Sequence, residues 1–92
     1  MKSLEKYVEA QLDFVSAESD FKAELCEILE IEPSNIFRIS HSTYSEENLV
    51  KQVVTIQLIG INRIKSENVS KIKGLTIITP KTLEIEYSVI PL

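Results

Sequence analysis

Two sets of charged side chains have spacings that could serve recognition. Glu5, Glu9 and Asp13 recur at four-residue steps, and Glu24, Glu27 and Glu30 at three-residue steps. On a helix, three- and four-residue steps line side chains along one face. Such a face would meet a basic partner, or mimic nucleic-acid phosphate, with complementary charge setting on-rate and orientation. Glu5, Glu9, Asp13, Glu24 and Glu27 are therefore the expected partner-binding residues. The second set is basic. From Asn48 to Lys81 the chain carries Lys51, Arg63, Lys65, Lys71, Lys73 and Lys81 against one acidic residue, Glu67, a local charge of +5. Arg63, Lys65, Lys71 and Lys73 are the expected contacts if the chain binds nucleic acid, and a helix start at Ser66 would suit a phosphate. Stacking on a single strand wants interleaved aromatics, yet none lies between Tyr44 and Tyr87. A pI near 5.0 also opposes general nucleic-acid binding. Solvated outer faces are the plainer reading of both sets.

The remaining reactive side chains form no catalytic pattern. His41 is the sole histidine, with Ser40 and Ser42 beside it. A serine–histidine pair needs an orienting acid and an oxyanion site, and neighbours on a strand point to opposite faces. His41 reads as a polar residue near a strand end. Cys26 lies among Leu25, Ile28 and Leu29; without a second Cys or a His at ligand spacing it reads as helix-flank packing, not a zinc ligand. Glu84 and Glu86 share a strand face and could pair as acid and base if buried, but a solvent-facing stripe is simpler. The two glycines, Gly60 and Gly74, stand apart and make no phosphate loop. The reading is of a non-enzyme that needs no metal and no cofactor.

The elements that would position these groups change character near Pro33. Residues 1–32 hold nine acidic residues against three lysines, a net of −6; residues 33–92 hold five acidic against seven basic, a net of +2, and the two sum to the overall −4. All three alanines fall in the first part, and eleven of thirteen isoleucines in the second. Leu4, Tyr7, Val8, Leu12 and Val15 trace one amphipathic face, and Phe21, Leu25, Ile28 and Leu29 a second, offset one. Ser16, Ser19 and Asp20 are good N-cap types. One or two helices are expected, with a break near 16–19 and an end before Pro33.

Strands follow. Phe37, Ile39 and His41 alternate with Arg38 and Ser40, and Val54, Ile56 and Leu58 with Thr55 and Gln57, across a polar turn at 45–48. Residues 66–73 suit a short helix with Ser66 as cap and Gly74 as stop. Leu75–Thr79 and Leu83–Ile90 flank a Pro80-Lys81 turn. In the last strand Leu83, Ile85, Tyr87 and Val89 should face one way, and Thr82, Glu84, Glu86 and Ser88 the other.

The expected fold is therefore α+β: one domain over 1–92, with a helical part at 1–32 and a sheet part at 36–92. The sheet is four-stranded and mainly antiparallel, with helices on one face and a short helix between hairpins. A permuted ferredoxin-like sandwich is one arrangement this order allows. Residues 24–36 resemble the end of the first helix of acyl carrier proteins. The Asp-Ser-Leu motif of that family, whose serine carries its prosthetic group, is absent, so no residue is carried over.

Composition sets the outer bounds. An apolar fraction of 43% and a charged fraction of 26% are ordinary for a soluble globular domain. The start of the chain has no apolar signal segment and no stretch reaches membrane-spanning length, so a cytoplasmic, non-membrane protein is expected. The functional expectation is a small protein–protein interaction module: an adaptor, inhibitor or assembly subunit, of the kind mobile elements also encode. Nucleic-acid binding through 63–73, and an acidic nucleic-acid mimic, are the alternatives. A homo-oligomer is expected if the second or final strand forms a sheet edge.

Overall fold

The computed structural model describes residues 2–9, 14–60 and 63–91. Two helices, α1 (Lys2–Glu9) and α2 (Phe14–Leu29), precede a 3-10 turn at Pro33–Asn35. Then come β1 (Ile36–Glu46), β2 (Leu49–Leu58), the one-turn helix α3 (Ser66–Val69), β3 (Leu75–Thr79) and β4 (Thr82–Pro91). All neighbouring strands pair antiparallel, in the order β1-β2-β4-β3. The α+β class, the four strands and the helix between hairpins are as the patterning predicts. β2 and β4 are central, so the second and final strands are not edges, and β1 and β3 form the two borders. The helix between the hairpins, α3, spans only four residues.

The helices cross one sheet face and antiparallel to each other. Tyr7 stacks on Phe21 at 5.2 Å, and Ser3 donates to Glu24 at 2.9 Å. Leu4, Tyr7, Phe21, Leu25 and Leu29 then meet Val54, Ile56, Leu58, Leu83 and Ile85 from the two central strands. Each such side chain contributes roughly 1.5–3 kcal/mol when fully buried. The expected break at 16–19 does not occur. α2 runs through these residues, Ala17 is buried, and Lys22 pairs with Glu18 at 3.8 Å one turn away. This half-exposed pair adds only about 0.2–0.5 kcal/mol; the burial of Ala17 places this turn of the helix against the core. Leu12 lies outside the described residues, and of Val15 only the backbone is described.

Two irregularities re-aim side chains. Ile36 pairs with Leu58 and Arg38 with Gln57, so Phe37 is left unmatched. Ile36 takes the core position, and Phe37, expected inside, is 67% exposed. In β4, Glu86 pairs with Val53 but Ser88 with Gln52, so Tyr87 is the extra residue of a bulge. Leu83 and Ile85 are buried and Tyr87 is half-buried as expected, whereas Val89, past the bulge, is exposed opposite Lys51. Beyond Glu86, β4 runs past the end of its pairing with β3.

Candidate functional site

The acidic residues separate into different settings. α1 buries Ser3, Leu4 and Tyr7, which turns Glu5 and Glu9 outward. Together they rim an open cleft of about 380 Å³ with Leu4, Val8, Gln52 and Tyr87. Glu24 is occupied at the α1–α2 seam by the Ser3 hydroxyl. Glu27 is exposed on α2. Asp13 lies outside the described residues. The structure thus brings Glu5 and Glu9 together beside a partly apolar wall and sets Glu24 apart from them.

The basic residues meet an acid from the helical half. α2 closes with Glu30 in the left-handed region at φ 56°, and the Ile31 N–H returns to the Cys26 carbonyl at 3.1 Å. This is the Schellman closure that glycine usually serves. Buried Asn68 of α3 donates to Glu30 Oε2 at 2.8 Å and to the Leu29 carbonyl at 3.5 Å. Lys65 donates to the same Glu30 oxygen at 3.1 Å, and Lys71 to Asn68 Oδ1 at 3.0 Å. The Asn68 hydrogen bond first, and then Lys65, hold the Glu30 carboxyl below its ordinary range. Two of the four expected nucleic-acid contacts, Lys65 and Lys71, therefore have partners within the fold while remaining exposed at its surface. Arg63 and Lys73 stay exposed, and Arg63, Lys65, Ser66 and Glu67 line an open cleft of about 530 Å³.

The local geometry there differs from expectation. Lys65, not Ser66, occupies the cap position, and no side chain caps the helix. The helix ends at Val69, where the Ser70 hydroxyl bonds the Glu67 carbonyl at 2.8 Å. Serine competing for backbone groups in this way stops a helix early. Asn68 links α3 to the end of α2, and the sequence carries no signal for that link, because its partners there, Leu29 and Glu30, lie 39 and 38 residues away.

His41 sits in the middle of β1, not near its end. It stacks on Tyr7 at 4.7 Å and meets the edge of Tyr87 at 6.5 Å. Ser40 and Ser42 pair with Thr55 and Val53 on the opposite face. Burial, with Glu18 and Tyr87 adding, pushes the Tyr7 hydroxyl up to about 12. Cys26 is buried, and burial raises its thiol as well, which disfavours a thiolate. Among the described residues no three His, Cys, Asp or Glu side chains cluster as metal ligands, and no helix is long and apolar enough to cross a membrane.

The face of the sheet away from the helices has its own polar array. Tyr44 donates to Glu84 at 3.2 Å, and Lys51 lies 3.4 Å from Glu46 and 3.9 Å from Glu86. Val53 is buried at the base of an open cleft of about 300 Å³, whose other walls include Gly74, Thr76 and Ile78. Glu84 and Glu86 are thus separately partnered rather than paired as acid and base. Phe37, Tyr44, Ile77, Ile78, Val89 and Ile90 are all exposed, and all belong to β1, β3 or the far end of β4. Compared with known proteins, the chain matches no family model, no curated protein and no solved structure.

Proposed function

We propose that this chain is a small non-enzymatic protein–protein interaction module whose contact surface centres on the Glu5–Glu9 end of α1. The observation that carries the reading is the pairing of these two exposed carboxylates with an apolar wall of Leu4, Val8 and Tyr87. A basic amphipathic segment suits such a cleft, its apolar side seated on the wall and its cations at the rim. Glu27 extends the negative surface; Glu24 serves the α1–α2 seam. The nucleic-acid reading is weakened by the Glu30 carboxylate 3.1 Å from Lys65, which offsets part of the local positive charge.

The test compares the wild-type chain with Glu5→Lys/Glu9→Lys in binding a lysine-rich amphipathic peptide, and in capture from nuclease-treated lysate. Charge reversal should abolish peptide binding and deplete the captured partners. Equal binding by both proteins would overturn the α1 surface as the contact. Retention on DNA at low salt, lost steeply as salt rises, would favour the basic residues instead.

A further inference from the structure

β1 is an open border of the sheet along its whole length, with β2 on one side and no described strand on the other. Natural edge strands are usually blunted by lysine, proline, bulges or inward-pointing charge, because their free N–H and C=O groups template pairing with another chain. From Arg38 to Glu46 this edge has none of these: the stretch contains no Lys, Pro or Gly, and its irregularity at Phe37 lies outside it. Its charges stand only at the two ends.

Those ends are complementary to each other. A strand meeting a second copy of itself antiparallel, about a two-fold axis normal to the sheet, must place residues of the same face opposite one another. Only registers whose paired numbers sum to an even value allow this. Arg38 and Glu46 both lie on the face away from the helices, and they oppose each other when the axis passes through Ser42. In that register Arg38 meets Glu46 of the copy twice, once at each end. Ser40 meets Tyr44, and Ser42 meets itself. Glu46 already lies 3.4 Å from Lys51, so Arg38 joins an existing ion pair. The alternative of Arg38 against Glu47 needs an odd sum and sets outer residues against inner ones.

We propose that β1 pairs with β1 of a second copy through Ser42, joining two four-stranded sheets into one continuous sheet with the helices of both copies on the same face. The pairing is distinct from the α1 surface and does not depend on it. The other borders are poorer templates: β3 has five residues, and the unpaired end of β4 contains Pro91.

Two measurements test this. Sedimentation over a range of micromolar concentrations should show a reversible dimer. Arg38→Glu and Glu46→Arg should each weaken it about tenfold or more, since like charges then face each other at both ends. The double exchange should restore it. Register is read independently by cysteine cross-linking, with native Cys26 buried. Facing Cα atoms lie about 4.5–5.5 Å apart, within disulfide reach. Ser42→Cys should therefore form a linked dimer on oxidation. Ser40→Cys should not, because two copies of residue 40 are offset by four residues, roughly 14 Å. A monomer at every concentration, a dimer indifferent to both charge reversals, failure of the double exchange, or linking through residue 40 in place of 42 would each overturn the proposal.

Discussion

Asn68 and Glu30 meet at 2.8 Å across 38 residues of sequence, and this contact is where the acidic and basic parts of the chain join. Glu30 belongs by spacing to the acidic row of α2, and Lys65 and Lys71 belong to the basic stretch. Asn68 gives its amide N–H to Glu30 and accepts from Lys71, and Glu30 in turn accepts from Lys65. Part of the charge contrast along the sequence is therefore spent on docking α3 against the end of α2. The Glu5–Glu9 rim, Glu27, Arg63 and Lys73 take no part in this junction.

Replacing Asn68 should loosen this junction. Asn68→Ala removes a buried amide and leaves the Leu29 carbonyl without that donor, a loss of about 1–3 kcal/mol. Asn68→Asp should cost at least as much, because it sets a second carboxylate against Glu30. Urea unfolding of both variants checks the order. Equal stability of wild type and Asn68→Ala would mean that α3 docks through its apolar contacts alone.

Glu30 should give the fold an acid-side pH dependence. Its folded carboxyl is held below the ordinary value, so the unfolded chain takes up its proton first as pH falls. The stabilisation is present above the unfolded carboxylate range near 4.3 and is lost as pH drops through the lower folded value. Unfolding midpoints followed from neutral pH downward should fall less steeply for Glu30→Gln than for wild type.

Much of this architecture is legible from residue periodicity, and the misses share a cause. The stripes of α1 and α2 and the alternation in β2 each report one buried face, so element type and sheet face follow from local pattern. Phe37 and Val89 were misassigned because each adjoins or follows a bulge, and a bulge is fixed by the partner strand rather than by its own sequence. Ser16 and Ser19 suggest a helix break, but α2 runs through both and buries Ala17 between them, a tertiary contact that local cap preference does not report. In the candidate surfaces, Glu5 and Glu9 were readable from spacing. The contacts of Lys65 and Asn68 with Glu30 are not, because they form only once β1 and β2 have brought α3 back to the end of α2.

Gly74 should resist substitution. Its φ is +83°, and a Cβ built there would lie 2.5 Å from the Glu86 carbonyl oxygen, part of the backbone that also bonds Gly74 at 3.1 Å. Gly74→Ala must therefore displace backbone at the start of the β3–β4 ladder, at a cost of about 1–3 kcal/mol. Thr76→Ala, on the exposed face of the same strand, should change stability by less than about 1 kcal/mol. Thermal melts of the two variants make the comparison, and similar losses would mean that the ladder shifts freely at Gly74.

The stacked Tyr7 should make the fold sensitive to alkali. Its hydroxyl ionises near 10.0 in the unfolded chain and at about 12 in the folded one, so only the unfolded state gives up its proton across that interval. A group raised in this way contributes stability fully below pH 10, and the contribution is lost as pH rises toward 12. Two observations should follow. Phenolate absorbance should show one of the three tyrosines titrating later than the others, or together with unfolding. Tyr7→Phe keeps the ring against Phe21 and His41 but has no proton to lose, so its midpoint should decline less between pH 10 and 12 than that of wild type. Tyr44→Phe is the control: Tyr44 is exposed on the other face of the sheet, where its hydroxyl donates to Glu84, so the variant leaves the surroundings of Tyr7 unchanged and its alkaline profile should stay close to wild type. If the two variants behave alike, the sensitivity lies elsewhere than in the buried ring that joins α1 to the sheet.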